Sequence, residues 1–150
     1  LKSAARAVLA SYGEPVIEPL TYFMRDPEED RWIRRHVPST LAELPSAASM
    51  AALTAALDDS DGFLRFKATM ALDRLRRSHA ELPIDRAAIE KRITTEAARA
   101  FNGLTLYYNL FVAGGMSPGS LLARALNEKH GRAVNRLFTL LGLIVIFLER

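Results

Sequence analysis

The sequence of 150 residues contains no cysteine. A disulfide framework, a thiolate nucleophile and a sulfur-ligated metal are therefore excluded, and the composition fits a reducing compartment. Histidine is scarce as well, with three in the chain. His36, His79 and His130 lie far apart, and none has other ligand residues near it at metal-binding spacing. We expect no metal site and no cysteine chemistry in this chain.

The chain also lacks a strong charge imbalance and a long apolar run. Its net charge is +3, well short of the basic composition that makes nucleic-acid binding the first expectation. The strongest apolar run, residues 137–148, spans about a dozen residues, whereas a helix needs about 20 to cross a bilayer. Residues 1–6 lack the apolar core of a signal peptide. We expect a buried helix at the end of the chain and no transmembrane span.

Both ends of the sequence predict that it is part of a larger protein. The chain begins at Leu1 rather than at methionine, and it ends just after the very apolar segment, which other residues would normally cover. The length and the 49% hydrophobic content suit one domain. We expect a single domain over residues 1–150, with regular repeats in 1–82 and an irregular helical extension in 83–150.

One stretch of the sequence is written twice. Residues 32–44 align without a gap against residues 63–75, at a separation typical of helix-pair repeats. Apolar residues recur at helical spacing along the chain, and no convincing strand alternation is found. A repeated helical unit predicts a solenoid, which is built by stacking and usually presents an extended surface to a partner.

The apolar pattern predicts an all-α fold of about six helices, two regular pairs followed by a longer, irregular pair. Pro15 suits a first helical turn, and Pro19 should bend or restart that helix. Asp85 is placed to cap the fifth helix, which Gly114-Gly115 should end, and Ser117 to cap the last. The expected core stripe of the fifth helix is Ile89, Ile93, Ala97, Ala100, Leu104, Tyr108 and Phe111, with Tyr107 outside it, and that of the last helix is Leu122, Leu126, Val134, Leu137, Leu141, Ile144 and Leu148.

The first half of the chain resembles HEAT repeats. Residues 12–20, then Asp26 and the pair Ile33-Arg34, match the HEAT pattern of a proline-bent first helix, an inter-helix Asp and a hydrophobe-Arg pair that opens the second helix. Asp59 and the pair at 64–65 repeat it. The resemblance implies a right-handed α–α superhelix without enzymatic activity, catalytic residues or cofactors, because the repeat pattern contains no catalytic residue.

Looser strings at residues 63–68, 72–76, 121–126 and 136–143 resemble one bacterial subgroup of HEAT proteins. In that subgroup the HEAT segment lies between a membrane region similar to nucleotide transporters and, often, a cyclic-nucleotide-binding domain. The resemblance implies a cytoplasmic module on the inner side of a membrane, which couples a transporter-like part to a sensory domain. Neighbouring domains of the same chain would then be its partners, beside separate proteins.

Two repeated arginines have a structural interpretation. Arg34 and Arg65 occupy equivalent positions in the two copies, within reach of acids such as Asp26 and Asp59. In a structural ladder, each Asp accepts hydrogen bonds from free amides at a helix start, and each Arg ties neighbouring repeats together. A ligand-binding role is the alternative.

The second helices of the repeats carry the predicted partner-binding residues. In HEAT-like solenoids these helices line the concave side, and positions between the core residues are here basic, aromatic or Met, a mixture that suits protein recognition. An ordinary solvated face that contacts the next repeat is the alternative. The predicted face consists of Arg35, His36, Ser39, Phe66, Lys67, Met70 and Arg74.

Nucleic acid is the rival partner. Basic residues follow one another along the second helices, as phosphate neutralisation requires, although acids interrupt them. HEAT-like DNA glycosylases use aromatic, Arg and carboxylate groups, which Trp32, Arg35 and Asp30 offer here, yet Trp32 also suits packing between repeats. No further signature of that family is present. The basic succession is Arg31, Arg34, Arg35, His36, Arg65, Lys67, Arg74, Arg76 and Arg77.

The segment 59–62 resembles part of a calcium-binding loop. Aligning its Gly62 with the loop glycine places Leu57 and Ala68 where carboxylate ligands are required. We therefore interpret the segment as a connection between helices.

Overall fold

The computed structural model describes residues 2–145, with side chains from Ala4 onward. This part of the chain consists of helices and connections and contains no strand, which confirms the prediction of an all-α fold. Leu148, the last residue of the expected core stripe, lies outside the described residues. The α-helices are α1 (Lys2–Ser11), α2 (Ile17–Arg25), α3 (Arg31–Leu41), α4 (Ala47–Ala56), α5 (Gly62–Ser78), α6 (Arg86–Tyr107) and α7 (Leu121–Val145), with a 3₁₀ helix at Glu14–Val16 and a π-helix at Tyr108–Ala113.

The helices pack as three successive pairs, α2 with α3, α4 with α5, and α6 with α7. The second helices also pack on one another, α3 on α5 and α5 on α7, and in the first two pairs α2 packs on α4. Each pair therefore contacts the next, as in an α–α solenoid. The third pair is the longest, with helices of 22 and 25 residues.

The core lies between the helices of each pair and between successive pairs. On α5 the expected stripe is confirmed, because Leu64, Ala68, Ala71, Leu72 and Leu75 are all buried. Burial of one large apolar side chain contributes about 1.5–3 kcal/mol. The largest fully buried apolar side chains are Met24, Leu41, Met50, Leu53, Leu64, Leu72, Leu75, Ile89, Leu140 and Leu143.

Side-chain caps explain where four of the helices begin. Asp30, Ser46, Asp61 and Asp85 each accept hydrogen bonds from amides of the following first turn, which satisfies donors that have no partner inside the helix. The prediction for Asp85 is confirmed. Asp30 and Asp61 occupy equivalent places before the two sequence copies, so the two repeats also share the residue that caps the second helix.

The first residues form a helix that the expected count of about six omitted. The segment of α1 is rich in alanine, the strongest helix former. Gly13, with φ of 71°, then turns the chain in a conformation that favours glycine. Pro15 lies in the 3₁₀ helix and Pro19 in the first turn of α2. The predicted restart of the helix in this proline-containing segment is confirmed.

The last helix begins later than predicted. Ser117 and Pro118 lie in a turn, and the amide of Ser120 donates to the Ser117 carbonyl at 3.2 Å. Ser120 is the cap instead, since its Oγ accepts a hydrogen bond from the amide of Ala123 at 3.2 Å. Gly114 and Gly115 do end the preceding helical segment, as expected.

The expected stripe of α6 is correct at some positions and wrong at others. Ile89, Ala100 and Phe111 are buried, but Ala97, Leu104 and Tyr108 are exposed. The buried face runs instead through Arg92 and Glu96 and continues to Tyr107, which is half-buried and whose ring centroid lies 4.9 Å from that of Phe111. Because charged residues occupy part of this buried face, the apolar pattern of the sequence predicted that a neighbouring face of the helix is buried.

The same displacement affects α7. Four of its five buried positions precede expected ones by a residue, which rotates the buried face by about 100° around the helix. Leu122 and Leu141 are exposed, while Leu126, Val134, Leu137 and Ile144 are half-buried. The buried residues are Ala123, Ala133, Arg136, Leu140 and Leu143.

Candidate functional site

The predicted partner-binding residues lie on two helices that pack against each other. Arg35, His36 and Ser39 belong to α3, and the remaining four belong to α5. The contacts gather several of them around Phe63, a residue that the prediction omitted. We call the set Trp32, Arg35, His36, Ser39, Phe63, Phe66, Lys67, Met70 and Arg74 the α3–α5 face.

Phe63 lies between two cations. The Arg35 guanidinium carbon is 5.2 Å from the ring centroid and the Lys67 Nζ is 5.5 Å from it. The Phe66 ring lies 6.2 Å away, and Phe63 itself remains 38% exposed. Each cation–π contact at an exposed site contributes about 0.5–1 kcal/mol. The cluster is thus ordered by its own contacts while its aromatic surface remains open to solvent.

Asp61 holds Arg35 in place. The Arg35 Nε donates to Asp61 Oδ2 at 2.6 Å, and Nη2 donates to Oδ1 at 3.0 Å. Burial acts to raise the pKa of Asp61, but the hydrogen bonds from Arg35 and from the amides of Phe63 and Leu64 outweigh it and lower the pKa. Arg35 therefore both contributes to the exposed face and ties α3 to the start of α5.

An aromatic pair extends the face along α3. The rings of Trp32 and His36 meet edge to face with centroids 4.8 Å apart, and Trp32 is 59% exposed. The interpretation that Trp32 packs between repeats is therefore wrong. Trp32 and Phe63 occupy the same place in the two sequence copies, and both present an aromatic surface to solvent.

The remaining predicted residues complete the surface in different ways. Met70 is exposed and Ser39 is half-buried. Arg74 pairs with Glu43 through Nη1 and Oε1 at 2.8 Å, with both side chains partly exposed. This pair joins the end of the α3 segment to α5, again between equivalent positions of the repeat.

The repeated arginines make structural contacts, as the ladder interpretation predicts, although Asp30 and Asp61 rather than the expected aspartates cap the second helices. The Arg34 Nε donates to the Met24 carbonyl at 2.9 Å, and Nη2 reaches Asp59 Oδ2 at 2.5 Å. The Arg65 Nη1 donates to the carbonyls of Asp59 and Ser60 at 2.6 and 2.9 Å. Asp59 thus connects the first two helix pairs.

Aspartates of the α4–α5 connection receive arginines from other helices. Asp58 pairs with Arg92 of α6, Asp59 with Arg34 and Asp61 with Arg35. Because arginine neutralises each carboxylate, the interpretation as a helix connection rather than a calcium loop fits the contacts. Within residues 2–145, no group of three or more His, Asp or Glu side chains is placed to hold a metal ion.

A buried carboxylate in the third helix pair was missed by the sequence analysis. Glu96 accepts a hydrogen bond from Arg99 Nη1 at 2.6 Å and another from Arg136 Nε at 2.8 Å, and Arg65 Nε lies 3.5 Å away. Burial acts to raise the pKa of Glu96, but the charge and hydrogen bond of Arg136, followed by those of Arg99, lower it overall. A four-residue spacing between Arg92 and Glu96 was the available signal in the sequence.

The basic succession considered for nucleic acid is only partly accessible. Arg34, Arg65 and Arg76 are buried, and Arg76 donates to backbone carbonyls that follow α5. Asp30, proposed as a glycosylase carboxylate, caps α3, and Arg35 is bound to Asp61. The continuous row of phosphate contacts that the sequence suggested is interrupted at these positions.

Two further surfaces stand apart from the α3–α5 face. One is a groove of about 810 Å³ between α2 and α4, with mostly apolar walls that also include Glu14 and Glu18. The other surface is an apolar stripe along the outer side of α6 and the π-helix, formed by Phe101, Leu104, Tyr108 and Val112. Over the described range, no helix has both the length and the apolar character needed to cross a membrane.

Comparison with known proteins finds a family match for the first half of the chain. A family model described as HEAT repeats matches residues 1–73, just under half of the sequence. This stretch contains α1 to α4 and most of α5, including almost all of both sequence copies. Together with the all-helical architecture, the match supports a HEAT-like repeat fold. Neither the curated proteins nor the solved structures contain a match to this chain.

Proposed function

We propose that this chain is a non-catalytic scaffold or regulatory module that binds a protein partner through the α3–α5 face. The observation that carries the proposal is the cluster around Phe63, where an exposed aromatic ring lies between Arg35 and Lys67. Aromatic residues, Met and Arg are enriched at protein interfaces. HEAT repeats commonly serve as protein-interaction scaffolds, which agrees with this assignment.

The side chains of the α3–α5 face are held in place before a partner arrives, which favours binding. The bidentate contact to Asp61 fixes the Arg35 side chain, and the Lys67 Nζ lies over the Phe63 ring, 5.5 Å from its centroid. Side chains that are ordered before association lose less conformational entropy when a partner arrives, at a saving of about 0.5–1.5 kcal/mol for each flexible side chain. An acidic surface with an apolar centre would complement the face.

The two sequence copies give the face its specificity. Arg35 and Phe66 occupy equivalent places in successive repeats, as do Ser39 and Met70. Their chemistry differs at each place, so a partner that contacts both repeats meets a sequence of different side chains rather than a repeated one. We infer that these differences, and not the shared Arg34 and Arg65, select the partner.

The test compares matched variants in affinity capture from the source cells, with quantitative mass spectrometry. Lys67→Glu/Met70→Ser changes the face without removing the Arg35–Asp61 contact. The control Lys91→Glu/Leu104→Ser also reverses one lysine charge and replaces one large apolar side chain by serine, at exposed positions of α6. We expect the first variant to lose a set of proteins that the wild type and the second variant both retain.

Two results would contradict the proposal. If the α6 variant alone loses partners, the apolar stripe of α6 is the interface instead. If the face variant loses affinity for duplex DNA with a steep salt dependence, and no protein is lost, the nucleic-acid alternative is correct. Fluorescence anisotropy with labelled DNA at low and moderate salt measures this affinity and its dependence on salt.

We further propose, from the resemblance to the bacterial subgroup, that the module lies on the cytoplasmic side of a membrane and couples a transporter-like region to a sensory domain. The support is the set of similar strings at residues 63–68, 72–76, 121–126 and 136–143. The complete gene provides the test. Membrane spans encoded before Leu1 and a further domain after Arg150 are expected, and a gene that encodes neither contradicts the coupling role.

A further inference from the structure

Two adjoining cavities lie where α5, α6 and α7 meet. One, of about 320 Å³, lies between α6 and α7. The other, of about 390 Å³, lies between the start of α5, Arg35 and α7. Arg65, Lys129 and Arg136 line both, so the two are parts of one cleft, which we call the α5–α7 cleft. Each cavity is within the range of small-molecule sites, about 300–1,000 Å³.

Positive charge exceeds negative charge along this cleft. Asp61 lines it but is already bound by Arg35, and Glu96, behind the wall, is shared by three arginines. Glu128 lies 3.6 Å from Arg132 and is itself largely exposed. The cationic side chains that line one or both cavities are Arg35, Arg65, Arg99, Lys129, Arg132 and Arg136.

Arg65 shows that the cluster has unused capacity for an anion. The residue is 8% exposed, and its buried Nε makes no hydrogen bond in the described part of the chain. Arg99 and Arg136 take the closest contacts to Glu96 and leave Arg65 Nε at 3.5 Å. Burial, followed by the positive charge of Arg99, lowers the pKa of Arg65, as expected for a guanidinium with too little negative charge nearby.

The lining away from the cations suits an organic group. The α6–α7 cavity also contains Leu106, Leu126 and Ala133, with the amide side chain of Asn102 among them. Cationic and apolar side chains therefore line the same cavity. A ligand with an anionic end and a short organic part matches this mixture.

We propose that the α5–α7 cleft binds a small phosphate monoester, with its phosphate between Arg65, Lys129 and Arg136. Guanidinium groups bind phosphate oxygens through paired hydrogen bonds, and Lys supplies a point charge. A doubly charged group with several acceptor oxygens offsets the excess of arginine over carboxylate. The cleft adjoins the α3–α5 face, because Arg35 and Phe63 line its 390 Å³ cavity. The three residues that hold the phosphate are not part of that face, so the site goes beyond the proposed protein-binding function.

Isothermal titration calorimetry at constant ionic strength tests the site, with inorganic phosphate and glycerol 3-phosphate as probes and chloride as the reference anion. Lys129 is exposed and makes no hydrogen bond or ion pair in residues 4–145, so Lys129→Glu should fold normally, as circular dichroism can verify. We expect this variant to bind glycerol 3-phosphate at least about tenfold more weakly, the effect of about 1.4 kcal/mol.

Matched variants keep the result specific. Lys91→Glu makes the same change of charge on α6 away from the cleft, and Lys67→Glu makes it on the α3–α5 face, so both should retain the wild-type affinity. If all three variants bind the phosphate probes equally more weakly, net charge alone explains the effect and the site is wrong. Undetectable binding of both soluble probes to the wild type would also contradict the site. If the protein sediments with phosphatidic acid vesicles but binds no soluble phosphate, the ligand is a lipid headgroup. That result would contradict the proposal of a small soluble ligand.

Discussion

Glu96 of α6 and Arg136 of α7 form an ion pair in the interior of the third helix pair. The Oε2 to Nε distance is 2.8 Å, and the two side chains are 1% and 6% exposed. Arg136 also donates to the Gly62 carbonyl at 3.3 Å, at the start of α5. The pair therefore joins the last helix pair to the second, just as Arg34 and Asp59 join the second to the first.

Glu96→Gln should destabilise the fold by about 3–5 kcal/mol. The substitution preserves shape but removes the carboxylate that contacts Arg65, Arg99 and Arg136, and an uncompensated buried charge is costly. Urea denaturation followed by circular dichroism measures the loss. Glu90→Gln on the same helix removes an exposed pair with Arg86 and should cost about 0.5 kcal/mol at most. Equal losses in both variants would argue against the buried pair.

The pH dependence of stability should reflect the lowered pKa of Glu96. The unfolded carboxyl titrates near its ordinary value of about 4.3, and the native one below it. Its stabilising contribution is therefore complete above that ordinary value and is lost as the pH falls through the native pKa. The stability difference between wild type and Glu96→Gln should narrow over this acidic range. A carboxyl carbon NMR titration that places the native pKa at or above its ordinary value would contradict the assignment.

Arg34 and Asp59 should be energetically coupled. Arg34→Ala leaves Asp59 without its arginine and the Met24 carbonyl without its donor, so we expect a loss of about 3 kcal/mol. A double-mutant cycle with Asp59→Asn should give a coupling energy of about 1 kcal/mol or more. Arg31→Ala, at an exposed position of the same helix, should change stability by about 0.5 kcal/mol at most. Additive losses in the cycle would contradict the ladder.

Two glycines should respond oppositely to alanine. A Cβ at Gly114 would lie 2.6 Å from the Asn109 carbonyl oxygen and 2.9 Å from that of Leu110, both backbone atoms. Gly114→Ala should therefore cost about 1–3 kcal/mol. Gly131 lies in α7, where a Cβ would meet nothing within 4 Å, so Gly131→Ala should stabilise by up to about 1 kcal/mol. Thermal melting of both variants measures the difference, and a neutral Gly114→Ala would show that the π-helix end can shift.

The sequence by itself determined the repeat and its local structure. Aligned copies at 32–44 and 63–75 predicted stacked helix pairs, and the apolar stripe of α5 was placed correctly because its apolar residues recur at helical spacing and are buried. Asp85 was placed correctly as a cap, since capping depends only on the adjacent turn. These features involve neighbours in the sequence, or a pattern that repeats at constant spacing.

The tertiary structure alone decided which faces of α6 and α7 are buried and where the candidate sites lie. Arg92, Glu96 and Arg136 are buried because their charges meet partners from other parts of the chain, and apolar periodicity assigns such residues to the surface. Phe63 became the centre of the α3–α5 face only when α3 brought Arg35 over its ring. Contacts between residues far apart in the sequence supply the partners that make buried charges and exposed aromatic clusters stable, and a helical pattern read along one segment does not contain them.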